Sequence, residues 1–152
     1  MRVLYSSRKR KPEVEFALGC EYRSFEELLA EADFVSLHCA LTPDTRHVIN
    51  RDALARMKRT AVLVNTGRGG LVDQAALIDA VVNGRIAGAG LDVTDPEPLP
   101  AGHPLWSQPG VLIAPHVGGA SSAMAPRIAR LVRAQIERMV AGEAPLNVVI
   151  DA

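Results

Sequence analysis

Thr60-Ala61-Val62-Leu63-Val64-Asn65 runs directly into Thr66-Gly67-Arg68-Gly69-Gly70. Ala61–Val64 is an unbroken apolar run, the form taken by a parallel strand covered on both faces. Beyond the glycines, Asp73 is placed to cap a helix over Gln74–Val82, which Asn83-Gly84 ends. Strand, loop and helix recur on both sides of this segment. Upstream, Arg2–Ser6 is a short strand, Pro12–Leu18 a short helix stopped by Gly19, and Glu21–Arg23 a second short strand. Ser24-Phe25-Glu26-Glu27 has the capping-box form and leads a helical face of Leu28, Leu29 and Ala32. Asp33–Leu37 reads as a strand, Leu41-Thr42-Pro43-Asp44 as a turn and Arg51–Met57 as a helix. Downstream, Ile86–Val93 and Val111–Ala114 are strands, separated by a loop over Asp95–Pro104 with four prolines. A final helix over Pro126–Val140 carries Ile128, Leu131, Val132, Gln135, Ile136 and Met139 on one stripe, and Gly142 stops it. This alternation predicts an α/β domain with a doubly wound parallel sheet.

The 152 residues are the size of one domain, 48% hydrophobic and 22% charged, which is a globular balance. Lys+Arg and Asp+Glu are 17 each, so no bulk charge draws the chain to nucleic acid or anionic lipid. No apolar run nears the ~18 residues of a membrane span. Cys20 and Cys39 are too few for a disulfide scaffold and do not form a close metal-ligand pair. These features predict a cytoplasmic protein with free thiols, no metal, and neither nucleic acid nor membrane as partner.

In doubly wound sheets, ligands bind outside the carboxyl ends of the strands. The strand ends here are followed by Ser7-Arg8-Lys9-Arg10-Lys11, His38-Cys39-Ala40, Thr66-Gly67-Arg68, Asp92 with Glu97 in the loop beyond it, and Pro115-His116-Val117-Gly118-Gly119. Arg68, Glu97 and His116 are the candidate catalytic set. An arginine holds a carboxylate by two parallel hydrogen bonds and polarises a neighbouring carbonyl. A histidine exchanges a proton with the oxygen of that carbonyl, and a glutamate beside it fixes the ring. This is the equipment for reversible reduction of a 2-oxo acid. The hydride has to come from a cofactor. Each residue also has a plain reading, as a surface charge, a solvated loop carboxylate or a loop hydrogen-bonder. Their common place on successive strand ends separates them from it.

Asn65–Gly70, Gly88-Ala89-Gly90-Leu91-Asp92-Val93, Asp95-Pro96-Glu97-Pro98-Leu99-Pro100 and Pro115–Gly119 resemble the signatures of the D-isomer-specific 2-hydroxyacid dehydrogenases. Asp92 lies 24 residues after Arg68, and His116 lies 24 after Asp92, which is the family's spacing. Leu91–Pro100 and the first strand are most similar to glyoxylate and hydroxypyruvate reductases. The resemblance implies that Arg68 binds the substrate carboxylate and carbonyl, that His116 is the acid/base, and that Glu97 pairs with it. Asp92 would lie near the nicotinamide carboxamide. Ala40, Thr66, Gly67, Gly118 and Gly119 would line the cofactor, largely through backbone. Ala40 stands where the family usually has proline, and Pro126 is unusual near the start of the last helix.

None of the 12 glycines falls into Gly-x-Gly-x-x-Gly. The resemblance therefore implies an incomplete Rossmann-like sheet, without the family's first strand and glycine loop. Residues 1–120 would be a partial dinucleotide-binding domain. Residues 121–152 would carry the helix that in the family returns to a substrate domain. The strands at Val3 and Asp33 would lose their shared neighbour, and the 152 residues alone would hold cofactor weakly. The family implies a homodimer of the complete protein. Two other readings remain: an inactive or split half completed by another chain, and a dinucleotide-binding module similar to the C-terminal binding protein corepressors.

The strand that would read the adenine ribose ends in Ser7-Arg8-Lys9-Arg10-Lys11, with no acid before Glu13. NAD enzymes normally place a carboxylate there. Ser7 and Arg8 instead suit a 2′-phosphate, so NADP(H) is expected over NAD(H), with Arg8 as main determinant and Lys9 or Arg10 assisting. The plain alternative is a solvated basic run.

Overall fold

The computed structural model describes residues 1–148. They form two compact units, Met1–His116 and the residues from Val117 onward. In the first unit the elements alternate as β1 (Leu4–Tyr5), α1 (Pro12–Leu18), β2 (Glu21–Tyr22), α2 (Phe25–Glu31), β3 (Phe34–Leu37), α3 (Arg51–Arg56), β4 (Val62–Asn65), α4 (Gln74–Val82), β5 (Gly88–Leu91) and β6 (Val111–Ile113). Every strand pairing is parallel. The α/β parallel architecture expected from the sequence is present. Most strands are shorter than the apolar runs suggest, because hydrogen-bonded pairing stops before apolar residues do.

The helix ends follow local chemistry. Ser24 and Glu27 complete the capping box of α2, each side chain bonding the other's backbone amide. Asp73 accepts from the Ala76 amide at the start of α4, and Asn50 does the same for α3 through Ala53. Gly19 ends α1 at φ 63°, a left-handed conformation that glycine adopts without a Cβ penalty.

β3-β4-β5-β6 form one sheet, and β1-β2 form a separate one. Among the described residues, β1 and β3 lie in separate sheets and share no neighbouring strand, as the incomplete Rossmann-like reading requires. Register puts Val35, Leu63 and Ala89 in one row and Leu37, Asn65 and Leu91 in the next, all buried. Leu29 of α2, Ala53 and Leu54 of α3, and Ala76, Leu77 and Ala80 of α4 complete this core. The opposite face differs from the expectation of a sheet covered on both sides. Phe34 is 66% exposed and Leu112 73% exposed there. The continuous apolar runs are consistent with two covered faces, but within this unit α2, α3 and α4 supply core to one.

The second unit contains α5 (Met124–Val140), which starts two residues before the expected Pro126. Pro126 is its third residue, where a backbone N–H has no partner inside the helix, so the ring costs no helical hydrogen bond. The apolar stripe is present, yet no residue of α5 is buried. Among the described residues, no helix is long and apolar enough to cross a membrane. Cys20 is buried, Cys39 is exposed, and both are free.

Charge stitches the β1–α1–β2 segment together. Arg2 forks onto Glu21 through Nε and Nη2, each at 2.8 Å, and Arg10 does the same to Glu15. The Arg2 guanidinium holds the Glu21 carboxyl down to about 2, and Arg10, with the Tyr5 hydroxyl, holds Glu15 at about 2. A depressed carboxyl stabilises the fold above its unfolded value, and that contribution is lost as pH falls through the folded one. Tyr5 and Tyr22 stack edge to face across this segment at 5.5 Å and are the chain's only tyrosines. Their NMR ring signals, followed in an acid titration, are therefore expected to stay native-like through pH 4.5 and to change only toward pH about 2. A transition centred near 4.5 would show that these pairs are not formed in solution.

Candidate active site

The register continues to the strand ends. Leu37 faces Asn65, Asn65 faces Leu91, and Leu91 faces Ile113, so the four carboxyl ends form one row. Three backbone bonds carry the ladder past it. Asp92 N donates to Asn65 O at 2.9 Å, Ala114 N to Leu91 O at 2.8 Å, and His116 N to Asp92 O at 2.9 Å. The loops bearing Ala40, Thr66, Gly67, Arg68, Asp92 and His116 therefore leave one edge of one sheet.

Arg68 is aimed by its neighbours. Asn65 is 1% exposed. Its side-chain oxygen accepts from Gly67 N at 3.1 Å and its amide donates to Arg68 O at 2.9 Å, closing a tight turn at the end of β4. Next to Arg68, the backbone of Gly69 lies so close to the β5 extension that a Cβ would stand 2.0 Å from the Thr94 carbonyl oxygen. Only glycine permits this approach. The Arg68 side chain is exposed, and its Nη1 donates to Gly67 O at 2.7 Å.

Glu97 sits in a proline-rich loop tied at both ends. Thr94 Oγ1 donates to Pro96 O at 2.9 Å, and Gln74 bonds both the amide and the carbonyl of Asp95. Leu99 and Leu105 bury the other end, and Trp106 Nε1 donates to Pro100 O at 3.0 Å. The loop brings Glu97 Oε1 to 2.6 Å from His116 Nδ1. With the carboxylate as acceptor, Nδ1 carries the proton of this bond and Nε2 is the ring nitrogen left outside it. His116 has φ 55°, a left-handed backbone that costs a non-glycine residue about 1–3 kcal/mol. Its amide bond to Asp92 and its ring bond to Glu97 hold it there.

Ser7 and Arg8 lie apart from this row, at the end of β1 in the two-stranded sheet. Ser7 Oγ donates to Lys9 O at 2.6 Å. Among the described residues, the Arg8 guanidinium and the Lys9 ammonium have no hydrogen-bond or ion-pair partner. Arg10, expected as a possible assistant to Arg8, is instead engaged by Glu15. The Ala40 carbonyl accepts from Thr45 Oγ1 at 2.7 Å. Gly118 and Gly119 belong to the second unit. Sequence reasoning assigns no individual role to Asn65, Gly69 or Gln74. Asn-x-Gly after an apolar run is a readable turn signal for Asn65, whereas Gln74 meets a partner 21 residues away that no local pattern shows.

Residues 1–118 match the model of the D-isomer specific 2-hydroxyacid dehydrogenase NAD binding domain. The chain belongs to this family. A glyoxylate reductase of Aeropyrum pernix is 46% identical over 149 residues, covering 98% of this chain and 44% of that protein. One from Korarchaeum cryptofilum is 48% identical over the same length, with 98% and 45% covered. The crystal structure of D-lactate dehydrogenase with NAD+ from Lactobacillus jensenii superposes with a TM-score of 0.91 at 32% identity, covering 99% of this chain and 48% of that one. The chain thus spans less than half the length of the curated relatives it matches. All three candidate catalytic residues lie inside the span matched to the family's dinucleotide-binding domain.

Replacing Asn65 by alanine strips a partner from both Gly67 N and Arg68 O in a part-buried turn. Such a loss costs about 1–3 kcal/mol where the orphaned groups stay dry. Urea denaturation of the complete protein is expected to show a lower midpoint for Asn65→Ala, at unchanged slope.

Proposed function

We propose that the complete protein is an NADPH-dependent oxidoreductase that interconverts 2-oxo acids and D-2-hydroxy acids, with glyoxylate and hydroxypyruvate as the substrate class. One observation carries this reading: a histidine in a left-handed backbone, clamped through Nδ1 by Glu97, on the same sheet edge as an exposed arginine. The chemistry of the strand ends in the two sheets fits a nicotinamide dinucleotide. Backbone from Thr66 and Gly67 lies beside Arg68, Asp92 lies at the end of β5, and the Arg8 guanidinium has no partner among the described residues. In this reading Ala40, Thr66, Gly67, Gly118 and Gly119 line the cofactor, Asp92 meets its carboxamide, and Ser7 and Arg8 meet its adenine ribose. Residues 121–152 would return toward a substrate domain.

When bound, the reduced nicotinamide supplies the hydride that no side chain provides. Arg68 holds the substrate carboxylate by its planar fork and draws electron density from the adjacent carbonyl. His116 delivers its Nε2 proton to the carbonyl oxygen as that bond is reduced to C–O, and solvent restores the proton. Glu97 keeps the ring oriented through Nδ1, so that Nε2 is the nitrogen that meets the carbonyl oxygen. Two free thiols and a formal charge of zero fit a cytoplasmic enzyme without a nucleic-acid or membrane partner, and the family suggests a homodimer.

Steady-state assays of the complete protein with glyoxylate and hydroxypyruvate test the assignment. His116→Ala is expected to lower turnover by about 10²–10⁴-fold, the usual worth of general acid–base catalysis. Unchanged turnover would remove His116 from the reaction. Arg8→Ala tests the cofactor. Wild type is expected to favour NADPH in kcat/KM, and losing one charge-assisted contact should cut that preference about 10- to 100-fold. A preference for NADH, or a ratio indifferent to Arg8→Ala, would overturn the choice of NADPH.

A further inference from the structure

Four cations stand in a row at the end of β1, but they differ in their partners. Arg10 lays both arms of its guanidinium on Glu15, with Nε to Oε1 and Nη2 to Oε2 each at 2.8 Å. The Tyr5 hydroxyl donates to the same Glu15 Oε1 at 2.8 Å and accepts from the backbone amide of Lys11 at 2.7 Å. Tyr5 is the last residue of β1, Lys11 immediately precedes α1, and Glu15 is on α1. One cluster thus pins both ends of the Ser6–Lys11 loop, and the Ser7 hydroxyl closes its interior on Lys9 O. The Tyr22 ring packs edge to face on Tyr5, which keeps the phenol from swinging away.

The cluster has an electrostatic consequence. Glu15 is only 15% exposed and lies under a loop that we have assigned to an anion. Unneutralised, its carboxylate would oppose a phosphate at that loop. Arg10 cancels it and is consumed in doing so. Arg8, Lys9 and the Lys11 ammonium remain the unpaired cations of the loop among the described residues.

We infer that Tyr5, Glu15 and Arg10 form a brace that orders the β1–α1 loop, withholds Arg10 from the ligand and presents Arg8 and Lys9 to the 2′-phosphate of the dinucleotide. Tyr5, Glu15 and Arg10 are positioning residues for cofactor choice. The inference rests on the reading of Arg8 as the phosphate contact. A loop ordered before binding loses less conformational freedom when the phosphate docks. NADH has no 2′-phosphate to gain from that order, so the brace acts on one cofactor and not on the other.

The test uses the complete protein with Tyr5→Phe, Arg10→Lys and the double variant, measuring KM and kcat for NADPH and for NADH. Tyr5→Phe keeps the ring and removes two hydrogen bonds. Arg10→Lys keeps the charge and loses the fork. Each is expected to raise KM for NADPH about three- to tenfold, on the scale of one or two hydrogen bonds. kcat with either cofactor and KM for NADH should stay within about twofold. The double variant should be no worse than the more damaged single one, because both changes break one brace. A parallel rise in both KM values, or a fall in kcat with both cofactors, would mean that the cluster only supports the fold. If Arg8→Ala abolishes NADPH preference while Tyr5→Phe leaves KM for NADPH unchanged, the brace is refuted and the Arg8 assignment stands. If wild type prefers NADH, both fall.

Discussion

The backbone bond from Asp92 N to Asn65 O, followed by that from His116 N to Asp92 O, is the constraint on which the candidate site depends. Parallel strands in register end in a row, but residues beyond the row are ordinarily free to diverge. Here the ladder runs on past β4, β5 and β6, so the turn bearing Arg68, the Asp92 position and the histidine are referred to one another through main chain. The side-chain contact between Glu97 and His116 is made on that frame, and the left-handed backbone of His116 is sustained by it. Gly69 and Asn65 serve the same frame from the other side. The glycine lets the Arg68 loop press against Thr94, and the asparagine turns the chain.

Burial is one-sided. Val35, Leu37, Leu63, Ala89 and Leu91 pack with α2, α3 and α4 into a continuous core, and that face holds together without matching cover on the other. The second face leaves Phe34 and Leu112 exposed, and β1-β2 stands as a separate pair. The same chain covers under half the length of its curated relatives. The core that positions the edge bearing Arg68 and His116 is nonetheless internal to the span described.

Local charge matters more than total charge. The formal charge is zero, yet the β1–α1 loop carries four cations. A count of residues cannot say which of them is available to an anion. The forked contact of Arg10 with Glu15 separates one from the others, because a bidentate pair with a mostly buried carboxylate leaves that guanidinium committed.

What the sequence determined by itself is the part governed by short-range rules. The apolar run of Ala61–Val64, the capping box at Ser24, the Asp73 cap and Gly19 each act within a few residues, so element type and most helix ends were legible. The order of Arg68, Glu97 and His116 on successive strand ends was legible too, since parallel topology sends every strand's end to one edge. The strand lengths were not, because pairing depends on partners far away in the chain. Nor was the one-sided cover of the sheet, since apolarity states what tends to be buried and not what is present to bury it. Tertiary structure alone decided that Gln74 braces the loop of Glu97, that Gly69 meets Thr94, and that Tyr5 and Glu15 take Arg10 out of the basic run. Those contacts join residues brought together by folding, and their distances and angles, not their spacing in sequence, set whether they form.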